Sequence, residues 1–387
     1  MMSSGPLDGI VVVAVEQAIA APLATRHLVD LGARVLKIER PGVGDFARHY
    51  DTAVAGSSAF FVWGNRGKDS LELDLKSTAD RDELERLLAG ADVFIQNLAP
   101  AAAERIGLLA HQVRDRHPHL VSCGISGYGL GGPRTDDKAY DLAIQAEAGA
   151  IALTGSPDEP SKVGFSVADI ATGMYALSSI LAGLVRRGVQ GEGSTIELSM
   201  LECLAEWTAA PTYGAVGRGE APVRAGHRHA MITPYGMYPL ADDSEIMIAV
   251  QNHTEWVALC TEVFEQPELV DDPRFATNED RLVNLGEWEP QLRAALRARP
   301  ADETRRRLAA ARIAFAEVND PIALWEHEQL HARERFLPTE LPTGTAMTYR
   351  PPFNLDGVGD PPGRVPALGE HAPELVAELH RRAVNRQ

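Results

Sequence analysis

Cysteine is scarce in this chain. Cys123, Cys203 and Cys260 are the only three among 387 residues, and no two form a CxxC pair. The spacing offers no disulfide framework, thiolate metal site or dithiol motif, and it fits a reducing compartment. Cations are also short, with 37 Lys and Arg against 54 Asp and Glu and a formal charge of -17. Nucleic acid needs clustered cations, so that partner is excluded; a phosphorylated small molecule needs only two or three placed ones. No uncharged apolar stretch reaches 18 residues, and the nearest, Met174–Val185, is too short to span a bilayer. The opening MMSSGPLDGI lacks the basic and apolar regions of a secretory signal. A cytoplasmic protein without a membrane partner is therefore expected. GxSxG and GxxxxGK[ST] are missing too, and no GxGxxG follows the first strand. His227-x-His229 has no third ligand at useful spacing, so no metal is expected.

What is present is a globular composition, 45% apolar and 24% charged, in a chain long enough for about two domains. The first half alternates short apolar runs with helical patterns, as parallel α/β sheets do. Strands are predicted at Ile10–Val15, Arg34–Glu39, Leu71–Leu75, Asp92–Gln96 and Leu120–Ile125, with a short strand pattern at Thr195–Leu198. Helices are predicted over Ala20–Asp30, Thr78–Ala89, Tyr140–Ala152 and Asp169–Arg187, and from Met200. Tyr213–Gly226 reads as turn-like, Ile232–Val250 as strands around Asp242-Asp243-Ser244, and Glu255–His331 as mostly helical. Pro338–Pro366 reads as extended. The expected domains are a large one over 1–212, a small one over 213–331, and a return segment over 332–387 that completes the large one.

The opening βαβ pattern invites a dinucleotide reading, which Glu39 at the end of the second strand supports. The loop after the first strand, Glu16 to Pro22, holds no glycine, so side chains would hinder a pyrophosphate there. Arg40, Lys76, Arg105 and Lys138 end strands or begin helices in the same half. Lys76, Asn97 and Ser126-Gly127-Tyr128 follow three successive strands and would line one crevice; ordinary loop polarity is the alternative. Asp169 sits at the start of an apolar helix. Either it is a simple N-cap, or it is a carboxylate nucleophile kept charged by the helix N-terminus. Cys123, in mid-strand, reads as a buried small hydrophobe.

LDGIVVVAVEQAIAAP, GARVLKIERPGVGD, GNRGKDSLELDLKS, ADVFIQNLAPAAAERIGL, SGYGLGGP, KAYDLAIQAEAG, VADIATGMYALSSILAGL and PALGEH run through nearly the whole chain. Together they closely resemble the family III CoA-transferases, the formyl-CoA and carnitine CoA-transferase group, which shares its fold with the α-methylacyl-CoA racemases. The resemblance implies an α/β fold, a Rossmann-like large domain plus a smaller α+β domain, in an interlocked, ring-like homodimer. It aligns Asp169 with the catalytic aspartate. It aligns Ile19, Ala20, Arg40, Leu73, Asp74, Leu75, Lys76, Asn97, Arg105, Ser126, Gly127 and Tyr128 with positions that hold coenzyme A. The thioester is then a substrate, and no permanently bound cofactor is expected.

Gln17 and Ile19 depart from the formyl-CoA transferase pattern, Ser126 replaces a lysine, and that enzyme's glycine-rich covering loop has no counterpart. Oxalate or formate is therefore disfavoured. Two segments, KAYDLAIQAEAG and GHRHAMITPYGMY, look most like members acting on succinate, mesaconate, itaconate or citramalate. Gln17 and Tyr140 are further substrate candidates. Arg224, His227, Arg228 or His229 would meet an acceptor's distal carboxylate; a polar interdomain loop is the alternative. The implied reaction moves CoA from an acyl-CoA donor to a carboxylic acid through an aspartyl anhydride and an aspartyl-CoA thioester. The other readings are a racemase and a non-catalytic CoA-binding protein. Racemases of this fold carry a His-Asp pair where this chain has Tyr140-Asp141, and tyrosine, titrating near pH 10, replaces histidine poorly.

Overall fold

The computed structural model describes residues 5–386. Six parallel strands form one sheet in the order β3-β2-β1-β4-β5-β6. They are β1 Val11–Val15, β2 Arg34–Glu39, β3 Asp69–Glu72, β4 Val93–Gln96, β5 Val121–Ser126 and β6 Ser194–Ser199. Every residue of the VVVAV run in β1 is buried, because helices cover both faces. Alternate residues serve opposite layers: Val12 and Ala14 join a core with Leu28 and Ile180. Val11 and Val13 join another with Leu87 and Leu379. Val12 is in register with both Val35 and Val93. The strand order reverses between β1 and β4, and open α/β sheets bind ligands in the crevice at such a point.

Helix Ala20–Asp30 follows β1 and is buried along its whole length. Against it lies helix Val167–Gln190, close enough that a Cβ on Gly173 would stand 2.8 Å from the Ala20 carbonyl oxygen. The longer helix is long and apolar enough to cross a membrane by length and composition, but half of its apolar window is buried inside the fold, as in a core helix.

The chain divides into two compact units. The first holds the sheet, residues up to 150, 163–217 and from 329 onward; the second holds 151–162 and 218–328. The second unit has a three-stranded antiparallel sheet, β7 Tyr235–Pro239, β8 Glu245–Ala249 and β9 Ala314–Glu317. Its own core centres on Tyr238, Trp256 and Trp288.

Several local expectations need correction. The third strand starts at Asp69 and ends at Glu72, so Leu73 to Lys76 lie beyond it. The Tyr140–Ala152 pattern breaks into Asp141–Glu147 and Ala150–Leu153, around Gly149 at φ +78°. Ala209–Arg218 is helical where turns were expected from Tyr213. The stretch from 332 is not extended throughout. It pairs Phe336–Leu341 with Gly344–Tyr349 and ends in helix Pro373–Asn385, whose Leu375 and Leu379 complete the core beside Leu87.

Candidate active site

The crevice between β1 and β4 is built on a buried charge network. Glu16, Lys37 and Lys68 are almost wholly buried. Lys68 donates to Glu16 Oε1 at 2.6 Å, and Lys37 donates to Asp45 Oδ2 at 2.9 Å and to the Glu16 carbonyl at 3.2 Å. Burial lowers the Lys68 ammonium to about 7 despite the adjacent Glu16 charge. Asp45 Oδ1 accepts the Ala18 N–H at 3.1 Å, holding that residue at φ +62°. Next to it, Asn97 Oδ1 accepts the Gln17 N–H at 3.0 Å, and Asn97 Nδ2 donates to the Gln17 carbonyl at 2.8 Å. The Asn97 amide thus fastens the ends of β1 and β4 together. Glu39 is no ribose acceptor. Burial would raise its carboxyl, but Arg48, Lys37 and Ser70 bring it down to about 2.

Above this base lie two cavities that share Gln17, Phe46 and Leu98. The first, about 520 Å³, is lined by Arg40, Leu73, Asp74, Leu75, Lys76 and Arg105. The side chains of Arg40, Lys76 and Arg105 make no ion pair or hydrogen bond among the described residues. Three uncommitted cations around one cavity stand out in a chain of charge -17. The second, about 530 Å³, is lined by Ile19, Ala20, Asn97, Ser126, Gly127, Lys138, Tyr140 and Asp169. Gly127 is required there, since a Cβ would stand 2.1 Å from the Cβ of Ala139.

Asp169 lies in the first turn of helix Val167–Gln190, whose N-cap residue Ser166 supplies no side-chain bond. The cap comes from Asp141 instead: its Oδ1 accepts the N–H of Ala168 at 2.8 Å and of Asp169 at 3.2 Å. The Asp169 carboxylate accepts no hydrogen bond among the described residues. Burial, with the Asp141 charge added, pushes its pKa up to about 7. Burial and the Asp141 charge thus work against the helix N-terminus, which favours the charged form. The Ala168 and Asp169 N–H groups at the helix start are thereby already taken.

Other expected residues fall elsewhere. Tyr128 lines a separate cavity beside Gly129, where the Arg134 guanidinium sits 4.2 Å over its ring. Arg224, His227, Arg228 and His229 belong to the second unit. Arg224 donates to the carbonyls of Ser156 and Pro157, and Arg228 pairs with Glu289 at 2.8 Å. His227 Nε2 lies 2.8 Å from Arg293, and His229 Nδ1 accepts the N–H groups of Met231 and Ile232. Sequence reasoning missed the aromatic wall of the Asp169 cavity, Phe46, Tyr50 and Phe60. These residues lie in and around irregular chain with no periodic pattern to flag them.

The parallel sheet thus carries cations and a bare carboxylate around its switch point. Residues 7–372 match the model of CoA-transferase family III, and the chain belongs to that family. It is 32% identical over 379 residues to an acetyl-CoA:oxalate CoA-transferase of Acetobacter aceti, covering 97% of this chain and 96% of that protein. It is 31% identical over 391 residues to a succinate–glutarate CoA-transferase of Agrobacterium fabrum, with the same coverage. A crystal structure of a CAIB/BAIF family protein from Brucella suis superimposes with a TM-score of 0.86 at 31% identity, covering 97% of this chain and 100% of that one.

Proposed function

We propose that this CoA-transferase moves coenzyme A from an acyl-CoA donor to a short dicarboxylate, with Asp169 as the transient acyl carrier. One observation carries the reading: the two joined cavities place three unpaired cations at one end and an unpartnered carboxylate at the other. Arg40, Lys76 and Arg105 would hold the phosphates, and the pantetheine arm would pass Gln17, Phe46 and Leu98. Asp169 attacks the thioester carbonyl, the C–S bond breaks, and CoA leaves as thiolate from an aspartyl anhydride. The thiolate returns to give an aspartyl-CoA thioester and free acid. The acceptor carboxylate attacks that thioester, and CoA recaptures its acyl group from the second anhydride. Each step exchanges activated acyl species, so the site must orient the partners and exclude water. The loop amides around Gly127 are the remaining candidates for the oxyanion.

Succinate, mesaconate, itaconate and citramalate stay on the list of acceptors. The oxalate and glutarate named for the two relatives belong beside them, so the grounds for disfavouring oxalate weaken. Lys138 is the one cation among the residues lining the Asp169 cavity, and we assign it the distal carboxylate in place of Arg224 and its neighbours. The protein acts as a homodimer in this reading, as the family resemblance implies, and in the cytoplasm, as its scarce cysteines suggest. Incubation with acyl-CoA and then hydroxylamine, read by mass spectrometry, should trap a modification at Asp169. Asp169→Asn should abolish it and lower turnover at least about 1,000-fold. Turnover surviving in that variant, or deuterium entering at the α-carbon without CoA exchange, would overturn the proposal.

A further inference from the structure

The helix bearing Asp169 is capped by a residue from another element, and the cap is charged. Asp141 Oδ1 takes the Ala168 and Asp169 N–H groups, while its Oδ2 accepts Gln145 Nε2 at 2.7 Å. Gln145 is buried, and its Oε1 accepts the Val163 N–H at 2.9 Å. One turn of helix Asp141–Glu147 therefore clamps the chain on both sides of the approach to Asp169. An asparagine or serine would satisfy the same donors without charge. The choice of aspartate puts a negative group beside a carboxylate that has no partner of its own.

We propose that Asp141 is a positioning residue for the transferase reaction, fixing the Asp169 turn and favouring its acylated over its ionised form. This rests on the reading of Asp169 as acyl carrier. When the Asp169 oxygen bonds to the thioester carbon and the C–S bond breaks, its negative charge leaves with the CoA thiolate. Repulsion from Asp141 is relieved in the anhydride and in the aspartyl-CoA thioester alike, so both gain on the free carboxylate. The Asp169 cavity is also lined by Tyr50, Tyr140, Lys138, Asp136 and Asp137. Among these, the charge in hydrogen-bond contact with the Asp169 backbone is that of Asp141.

The test compares wild type with Asp141→Asn, Asp141→Ser and Gln145→Ala. The pH midpoint of Asp169 labelling by a water-soluble carbodiimide is measured without substrate, and the fraction of enzyme acylated at fixed acyl-CoA to CoA ratio is measured with it. Both Asp141 variants should lower the midpoint by one pH unit or more and cut the acylated fraction at least fivefold. Gln145→Ala loosens the clamp but keeps the charge, so it should slow turnover while leaving the midpoint in place. An unmoved midpoint in whichever Asp141 variant folds overturns the proposal, as does an unchanged acylated fraction. Wild type that never acylates at Asp169 instead sinks the functional reading, a result the carbodiimide midpoint does not depend on.

Discussion

At the scale of single residues, the site is made of groups left without partners. The fold pairs Glu39 with Arg48, Lys37 with Asp45 and Lys68 with Glu16, yet leaves Arg40, Lys76 and Arg105 facing a cavity. Each charged contact to phosphate is worth about 1.5–3 kcal/mol. Replacing any one by Gln should raise the KM for acyl-CoA roughly 10- to 100-fold with little change in kcat. Steady-state kinetics with CoA and dephospho-CoA thioesters would identify the residue nearest the 3′-phosphate, whose variant alone stops discriminating between them. Asp169 gives a stability prediction of opposite sign to its effect on rate. Its pKa is raised from 3.8 to about 7, so the folded state binds the proton more tightly than the unfolded one. Stability is thus lost as pH rises from about 4 to 7, and stays lost above that. Asp169→Asn should be more stable than wild type at pH 8 by about 1–3 kcal/mol after allowance for partial solvent exposure, read as a higher melting temperature, and the gain should vanish near pH 4.

Among the elements, close approaches fix where these residues stand. Gly127 leaves β5 with no room for a Cβ against Ala139. Gly127→Ala should push the Lys138–Tyr140 loop off the cavity, lowering kcat about tenfold or more at a stability cost of about 1–3 kcal/mol. Hydrogen exchange confined to that loop would check the cause. Strands such as Val11–Val15 were legible because burial on both faces leaves an unbroken apolar run, and Arg34–Glu39 was placed to the residue. Asp69–Glu72 starts two residues and ends three residues before the expected strand, because the LELDL alternation continues into the loop beyond it. Helix Pro373–Asn385 escaped notice behind a proline-rich stretch, though its buried Leu375 and Leu379 are spaced one turn apart. In the site, strand ends led to Asn97 and Lys76, the start of an apolar helix to Asp169, and the family resemblance to Gln17. The Asp141 cap and the Phe46, Tyr50 and Phe60 wall depend on contacts between segments far apart in the chain, which no local pattern records.

For the whole molecule, both cavities are lined by the first unit alone, while the second unit has a core of its own. Trp256 and Trp288 are fully buried there, their rings 5.8 Å apart and edge to face. Trp288 donates its indole N–H to the Arg281 carbonyl at 2.9 Å, and the Arg281 guanidinium lies 4.8 Å over Trp256. Trp288→Phe keeps most of the volume but strands that carbonyl, and Trp288→Ala opens a cavity worth about 3–5 kcal/mol. If CoA recognition belongs to the first unit, both variants should lower the melting temperature in that order while the Kd for CoA, measured by calorimetry below the transition, stays within about twofold of wild type. A Kd that weakens in step with the melting temperature would mean that the phosphate cations and Asp169 are not held by the parallel sheet and its loops alone. The switch point between β1 and β4 would then not be a self-sufficient binding site.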